Sequence, residues 1–268
     1  MRERKTKIQQ FNLATNNKGD FMSRLSKREK RIQRQNGIID EEGNFNHKSV
    51  SIRSDISPMT DAQSDAFDAW NEGHNLMLHG IAGTGKTFLA LYFAIKEVWN
   101  KNTPYRKVFI IRSTVSTRNQ GFMPGTKAQK EAVYEEPYGP IASTIFGRGD
   151  AYQLMKQKNI VEFRSTSFLR GATFDDCIIV VDEMQNMSDG ELHTIMTRVG
   201  QNCKIIFAGD IKQDDLTSKR YNEESGLATF MKIISRMEEF EFVEFFADDI
   251  VRSDLVKSYI IERDRQGL

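Results

Sequence analysis

Short apolar runs, rich in β-branched and aromatic residues, recur along the chain and are separated by stretches in which apolar positions follow helical spacing. The runs predict strands over residues 75–79, 107–112, 160–164, 177–181, 204–208 and 241–246. The intervening stretches predict helices over 60–72 and 85–100, one after Ser188, where Ser188-x-x-Glu191 makes a capping box, and one near 226–237. Strands that alternate with helices imply an α/β domain: an open, mostly parallel sheet with helices on both faces. Between Ser113 and Asn159 the pattern is least regular, because "GFMPG" and "EEPYGP" interrupt helical patches with turn residues. Long loops of that kind often carry function.

Ahead of the alternating region the pattern fails. Residues 1–35 hold Arg2, Arg4, Lys5, Lys7, Lys18, Arg24, Lys27, Arg28, Lys30, Arg31 and Arg34 against Glu3, Asp20 and Glu29, with few apolar positions. The formal net charge of +1 hides this asymmetry. The segment reads either as an arm that binds polyanions by counterion release or as a solvated tail with one short charged helix. The Asn, Gly and Ser-rich residues that follow read as a linker, which divides the chain into a basic arm and linker over 1–56 and a domain over 57–268. Cys177 and Cys203 lie in apolar strand-like runs without a second Cys or His nearby, so they read as buried reduced thiols in a cytoplasmic protein. No run approaches the roughly 18 apolar residues that a membrane helix needs.

Composition sharpens one place. A chain with 18 glycines puts three of them within "GIAGTG", followed by Lys86, Thr87 and an apolar helix-like run. Gly80-x-x-x-x-Gly85-Lys86-Thr87 fits the phosphate-binding pattern G-x-x-x-x-G-K-[ST]. Backbone N–H groups of Ile81, Ala82, Gly83, Thr84, Gly85, Lys86 and Thr87 are placed to cradle phosphate oxygens at a helix N-terminus, with Lys86 on the β/γ end and the Thr87 hydroxyl on Mg²⁺. Further on, the apolar strand "CIIVVDEMQN" ends in Asp182 and Glu183. After a phosphate loop, such an end delivers Asp182 to the metal's water shell and Glu183 toward the attacking water, a pairing suited to hydrolysis. The next strand, "KIIFAGDIKQDD", brings Asp210 and Gln213 to the carboxyl edge of the sheet, where an amide can sense the γ-phosphate. Gln63, ahead of the first strand, can read an adenine edge or serve simply as the fourth residue of a capping box with Thr60.

The loop "GIAGTGKT", the strand end "VVDEMQN", "AGDIKQDDL", "GFMPG", "FLRGATFDD", "SGL" and "DDIVRS", in this order, resemble the nucleotide-binding domain of PhoH-like ATPases, relatives of superfamily 1 helicases. The resemblance spans about residues 57–263. It implies a RecA-like P-loop NTPase core, ATP and Mg²⁺ as cofactors, a cytoplasmic location, association with RNA or single-stranded DNA, and homo-oligomer assembly, a hexameric ring being one form. The chain departs from the family in having Met184 where alanine is usual and Ser113 where proline follows the arginine matching Arg112. The family's distribution suits a bacteriophage protein.

About twenty residues follow the last strand, too few for a second motor half, so an arginine opposite the γ-phosphate is expected from this domain's edge or from a neighbouring subunit. Arg252 and then Arg170 are the candidates; each also reads as a surface ion pair with nearby Asp residues. Nucleic acid is expected across the strand ends at Arg112, Ser113 and Thr114, with Phe122 either a stacking platform or a loop anchor. The expected activity is Mg²⁺-dependent ATP hydrolysis coupled to RNA or single-stranded DNA. The alternatives are a P-loop kinase acting on a small acceptor and an ATP-dependent assembly scaffold with negligible turnover.

Overall fold

A computed structural model describes residues 51–113, 127–169, 171, 173–210 and 227–266. The basic arm, Thr114, Phe122, Arg170 and Gln213 lie outside the described residues. Among those described, six strands form one sheet in the order β3-β2-β4-β5-β1-β6: β1 (Asn75–Gly80), β2 (Lys107–Arg112), β3 (Val161–Ser165), β4 (Cys177–Asp182), β5 (Cys203–Gly209) and β6 (Phe240–Phe245). Every pairing is parallel, and the inner strands are the continuous apolar runs expected of strands buried on both faces. All six residues of β4 are buried.

Alternation along the strands splits the core in two. On one side Met77, Ile111, Ile179, Val181 and Phe207 pack with Leu192 and Ile195 of α6 (Asp189–Met196) and with Phe230 and Ile234 of α7 (Leu227–Ile234). The alternate residues Leu76, Leu78, Ile178, Val180 and Ile206 are equally buried. The helices α1 (Asp61–Glu72) and α2 (Lys86–Trp99) pack against these strands, α1 on β1 and β6, α2 on β4, β5 and β2. Both ends of α1 are set by sequence: the Thr60 hydroxyl accepts the Gln63 N–H at 3.3 Å, and Gly73 terminates the helix in the left-handed region. α6 carries the expected capping box, Ser188 with Glu191.

The segment that looked least regular contains three helices, α3 (Lys127–Glu135), α4 (Tyr138–Phe146) and α5 (Ala151–Gln157). Pro140 lies in the first turn of α4, where a missing N–H costs nothing, and Gly147 caps its end with φ +66°. The turn residues therefore bound a helix rather than exclude one. A last helix, α8 (Asp254–Arg265), has no fully buried residue and so left no apolar stripe for periodicity to find. Cys177 and Cys203 are register partners across β4 and β5, free thiols with sulfurs 3.4 Å apart. Among the described residues, no helix is long and apolar enough to cross a membrane.

Candidate functional site

The sheet order sets β1, β5 and β4 side by side, so the loops leaving their carboxyl ends converge. β1 runs into the glycine-rich loop. Gly80 takes φ +118°, and a Cβ there would fall on the Phe245 carbonyl oxygen of β6. Ile81 N–H donates to that same oxygen at 3.0 Å, and Thr84 Oγ1 donates to the Ile81 carbonyl at 3.0 Å, which closes the loop before α2 begins at Lys86.

The Lys86 ammonium folds back on its own loop, donating to the carbonyls of Gly80 at 2.8 Å and Ile81 at 2.6 Å. Burial pushes its pKa down to about 8, although Asp210, Glu183 and Asp182 pull upward. A bound triphosphate favours the ammonium form. At pH below about 8 the lysine is already charged and binding takes up no proton; above it, the free protein must first gain one. ATP affinity is therefore expected to stay flat below that pH and to fall as pH rises through it, on the order of tenfold per unit at most. Calorimetry in buffers of different ionisation enthalpy checks this. Equal proton uptake at neutral and alkaline pH would remove Lys86 as the group responsible.

β4 delivers Asp182, buried at 3% exposure, to the start of α2. Thr87 Oγ1 donates to Asp182 Oδ1 at 2.8 Å, and the Tyr138 hydroxyl of α4 donates to Oδ2 at 2.9 Å. Burial and then the neighbouring Glu183 charge raise the Asp182 pKa, against Thr87, Arg112 and Tyr138, which lower it. A threonine hydroxyl and a carboxylate are hard oxygen donors, and Mg²⁺ carried by phosphates takes one or two protein oxygens while keeping several waters, so this pair fits the ion.

Glu183 follows in the left-handed region, φ +53°, an uncommon setting for a non-glycine residue that turns the chain out of the strand. Gln185 Nε2 donates to Glu183 Oε2 at 2.5 Å, while Gln185 Oε1 accepts the Asp210 N–H at 3.1 Å. One buried amide thus ties the ends of β4 and β5 together. Gly209 makes room for it: a Cβ there would lie 2.5 Å from Gln185 Oε1 and 2.6 Å from Met184 Cγ. The buried bulk of Met184 is accommodated over that glycine.

Gln63 Nε2 donates to the Thr84 carbonyl at 3.0 Å, and its Oε1 accepts the Met59 N–H at 2.9 Å. The side chain braces the loop instead of closing a box with Thr60, and each amide function keeps capacity for one more hydrogen bond. Arg252 is brought to the loop within its own chain: Val251 N–H donates to the Gly83 carbonyl at 3.1 Å, and a Cβ on Gly83 would lie 3.2 Å from Arg252 Cγ. Gln63, Lys86, Thr87, Asp182, Glu183 and Arg252 line one cleft of about 580 Å³ that also takes in Ile56, Ser57, Met59, Ile141 and Thr144.

At the neighbouring strand end Ser113 is buried, with its hydroxyl donating to Glu191 Oε1 at 3.3 Å; Thr166 bonds the same oxygen. Arg112 is half-buried, the register partner of Asp182. Sequence reasoning missed Tyr138, Gln185 and the α4 wall of the cleft. Gln185 stood within the quoted strand end, as an amide beside two acids, whereas nothing in "EEPYGP" marks Tyr138.

A loop of this shape, rising from the first strand of a parallel sheet and meeting an acidic strand end through the residue after its lysine, belongs to nucleotide-binding P-loop NTPases. The model of the family described as PhoH-like protein matches residues 55–262. The chain belongs to that family. A PhoH-like protein of Bacillus subtilis is 30% identical over 231 residues, covering 86% of this chain and 69% of that one. Protein PhoH of Escherichia coli is 29% identical over 206 residues, 75% and 57% respectively. A PhoH-like protein of Mycobacterium tuberculosis is 30% identical over 202 residues, 73% and 53%. The chain thus spans little more than half the length of the latter two. Among solved structures, the large terminase of a thermophilic bacteriophage, in complex with ADP, aligns over 75% of this chain and 49% of that one, at TM-score 0.46 and 12% identity. The UvsW helicase of bacteriophage T4 aligns over 82% and 68%, at TM-score 0.41 and 15% identity. Likenesses at that level carry no argument about chemistry.

Proposed function

We propose that the chain hydrolyses ATP with Mg²⁺ and couples hydrolysis to RNA or single-stranded DNA as a homo-oligomer, a ring being the form expected. The observation that carries this is the hydrogen bond from Thr87 to Asp182, with Glu183 one residue on and tethered through Gln185 to the next strand. In this reading the loop amides and Lys86 bind the triphosphate, Thr87 and Asp182 hold the metal, and Glu183 orients the attacking water and takes its proton. The metal, when bound, neutralises charge on the β/γ-phosphates. Gln63 and the apolar wall of Ile56, Met59 and Ile141 receive the base. Arg252 serves as the arginine opposite the γ-phosphate, and its place on the loop of its own chain favours action in cis. Exposed Phe246, Leu255 and Tyr259, on and just before α8, are apolar surface suited to a neighbouring subunit.

The basic arm and Arg112 support polyanion binding. Phosphate release with and without single-stranded RNA or DNA tests the reading. Turnover that rises with a nucleic acid, and loses that rise at high salt, is the expected result. Hydrolysis absent under both conditions leaves the scaffold, and phosphate found on an added small acceptor leaves the kinase.

A further inference from the structure

Four side chains connect the phosphate loop to the carboxyl end of β2: Thr87, Asp182, Tyr138 and Arg112. Tyr138 is fully buried, yet its hydroxyl is aimed at the metal-side carboxylate, donating to Asp182 Oδ2 at 2.9 Å. Thr87 takes the other oxygen. A carboxylate held at both oxygens has one orientation, and the element that fixes it, α4, comes from between β2 and β3 rather than from the strands that build the phosphate site. Arg112 stands directly beside Asp182, its register partner on the adjacent strand, where parallel neighbours lie about 5 Å apart. Burial opposes the Arg112 charge, but Tyr138, Asp182 and Glu183 together outweigh it, so the guanidinium is held charged among the carboxylates.

We infer that Tyr138 and Arg112 are opposed positioning residues for the metal-nucleotide site: the Tyr138 hydroxyl orients Asp182 toward the metal, while the Arg112 charge competes with the metal for Asp182. A polyanion that draws Arg112 outward therefore tightens metal binding, which supplies a physical route from the strand end to the ATP site. The inference rests on the proposed role of Asp182 toward Mg²⁺. Coupling of this kind is reciprocal, so metal-nucleotide must tighten polyanion binding by the same factor.

The test measures Mn²⁺ affinity of the full-length chain saturated with ADP, read from the paramagnetic resonance of free Mn²⁺, alongside metal-free ADP affinity. Tyr138→Phe removes only the hydroxyl and is expected to weaken Mn²⁺ binding about tenfold or more, as loss of a group that orients a metal ligand does. Arg112→Gln is expected to strengthen it at least about threefold, because a cation beside the carboxylates is gone. Neither change should move metal-free ADP affinity. Mn²⁺ binding that is unchanged in Tyr138→Phe, or weakened in Arg112→Gln, overturns the inference, as does an equal loss of metal-free ADP affinity, which would make Tyr138 merely structural. A single-stranded oligonucleotide should tighten Mn²⁺ binding in the unaltered chain and not in Arg112→Gln; one that binds without that effect overturns the coupling. Failure of any oligonucleotide to bind would sink the nucleic-acid reading instead, while the two variants still decide the positioning roles.

Discussion

Glu183→Gln is expected to lower ATP turnover on the order of 10²–10⁴-fold, the range that a positioned general base supplies, with ATP affinity kept. The substitution is nearly isosteric, and the left-handed backbone that turns Glu183 out of β4 is untouched. The bond from Gln185 Nε2 survives, since the new amide retains an oxygen acceptor. What disappears is the negative charge and the ability to take a proton from water. Phosphate binding by the loop amides and Lys86 does not pass through this side chain, so a fluorescent nucleotide should bind within a few-fold of the unaltered affinity. Single-turnover hydrolysis separates the two quantities. Hydrolysis kept within a few-fold would show that the water is activated elsewhere, and the pairing of Asp182 with Glu183 would lose its catalytic meaning.

Gly80→Ala is expected to be the most damaging single methyl group in the phosphate site. Two penalties coincide: φ +118° is a conformation that side chains rarely adopt, and the added carbon falls on the Phe245 carbonyl and 2.8 Å from the Phe245 nitrogen. Both neighbours are backbone of the adjacent strand, so neither can rotate away. Relief requires separating the ends of β1 and β6, which breaks the Ile81 to Phe245 hydrogen bond and deforms the start of the loop. Strain of about 1–3 kcal/mol and a similar overpacking cost together take a large part of the roughly 5–15 kcal/mol that holds a domain together. Gly190→Ala is the matched control: nothing lies within 4 Å of a Cβ there, the residue is helical, and a gain of about 0.4–1 kcal/mol is expected. Thermal unfolding of both variants checks the contrast. An unchanged midpoint for Gly80→Ala would mean that β1 and β6 are not held as closely as described.

The parts of the site legible in the sequence are those whose geometry is local. Eight consecutive residues from Gly80 to Thr87 contain the cradle, because its shape comes from successive backbone dihedrals and the glycines that permit them. Strands 177–182 and 107–112 were equally plain, since strands covered on both faces are continuous apolar runs. The helices over 127–157 were not, because Gly139, Pro140 and Gly147 look like breakers until their positions in the first turn and at the cap are known. α8 was hidden for the opposite reason: it buries no residue fully and so carries no periodic signal.

By itself, then, the sequence determined that a phosphate loop precedes an acidic strand end in an α/β chain of the PhoH-like family. Motif order also led to the expectation that Thr87 and Asp182, 95 residues apart, meet, as they do; only the tertiary structure decided that Gln185 joins two strand ends over Gly209 and that Tyr138 and Arg112 flank the Asp182 carboxylate. The physical reason is the strand order. Which strand lies beside which is fixed by how whole faces pack, and β4 comes to stand between β2 and β5 through contacts that no short window of residues encodes.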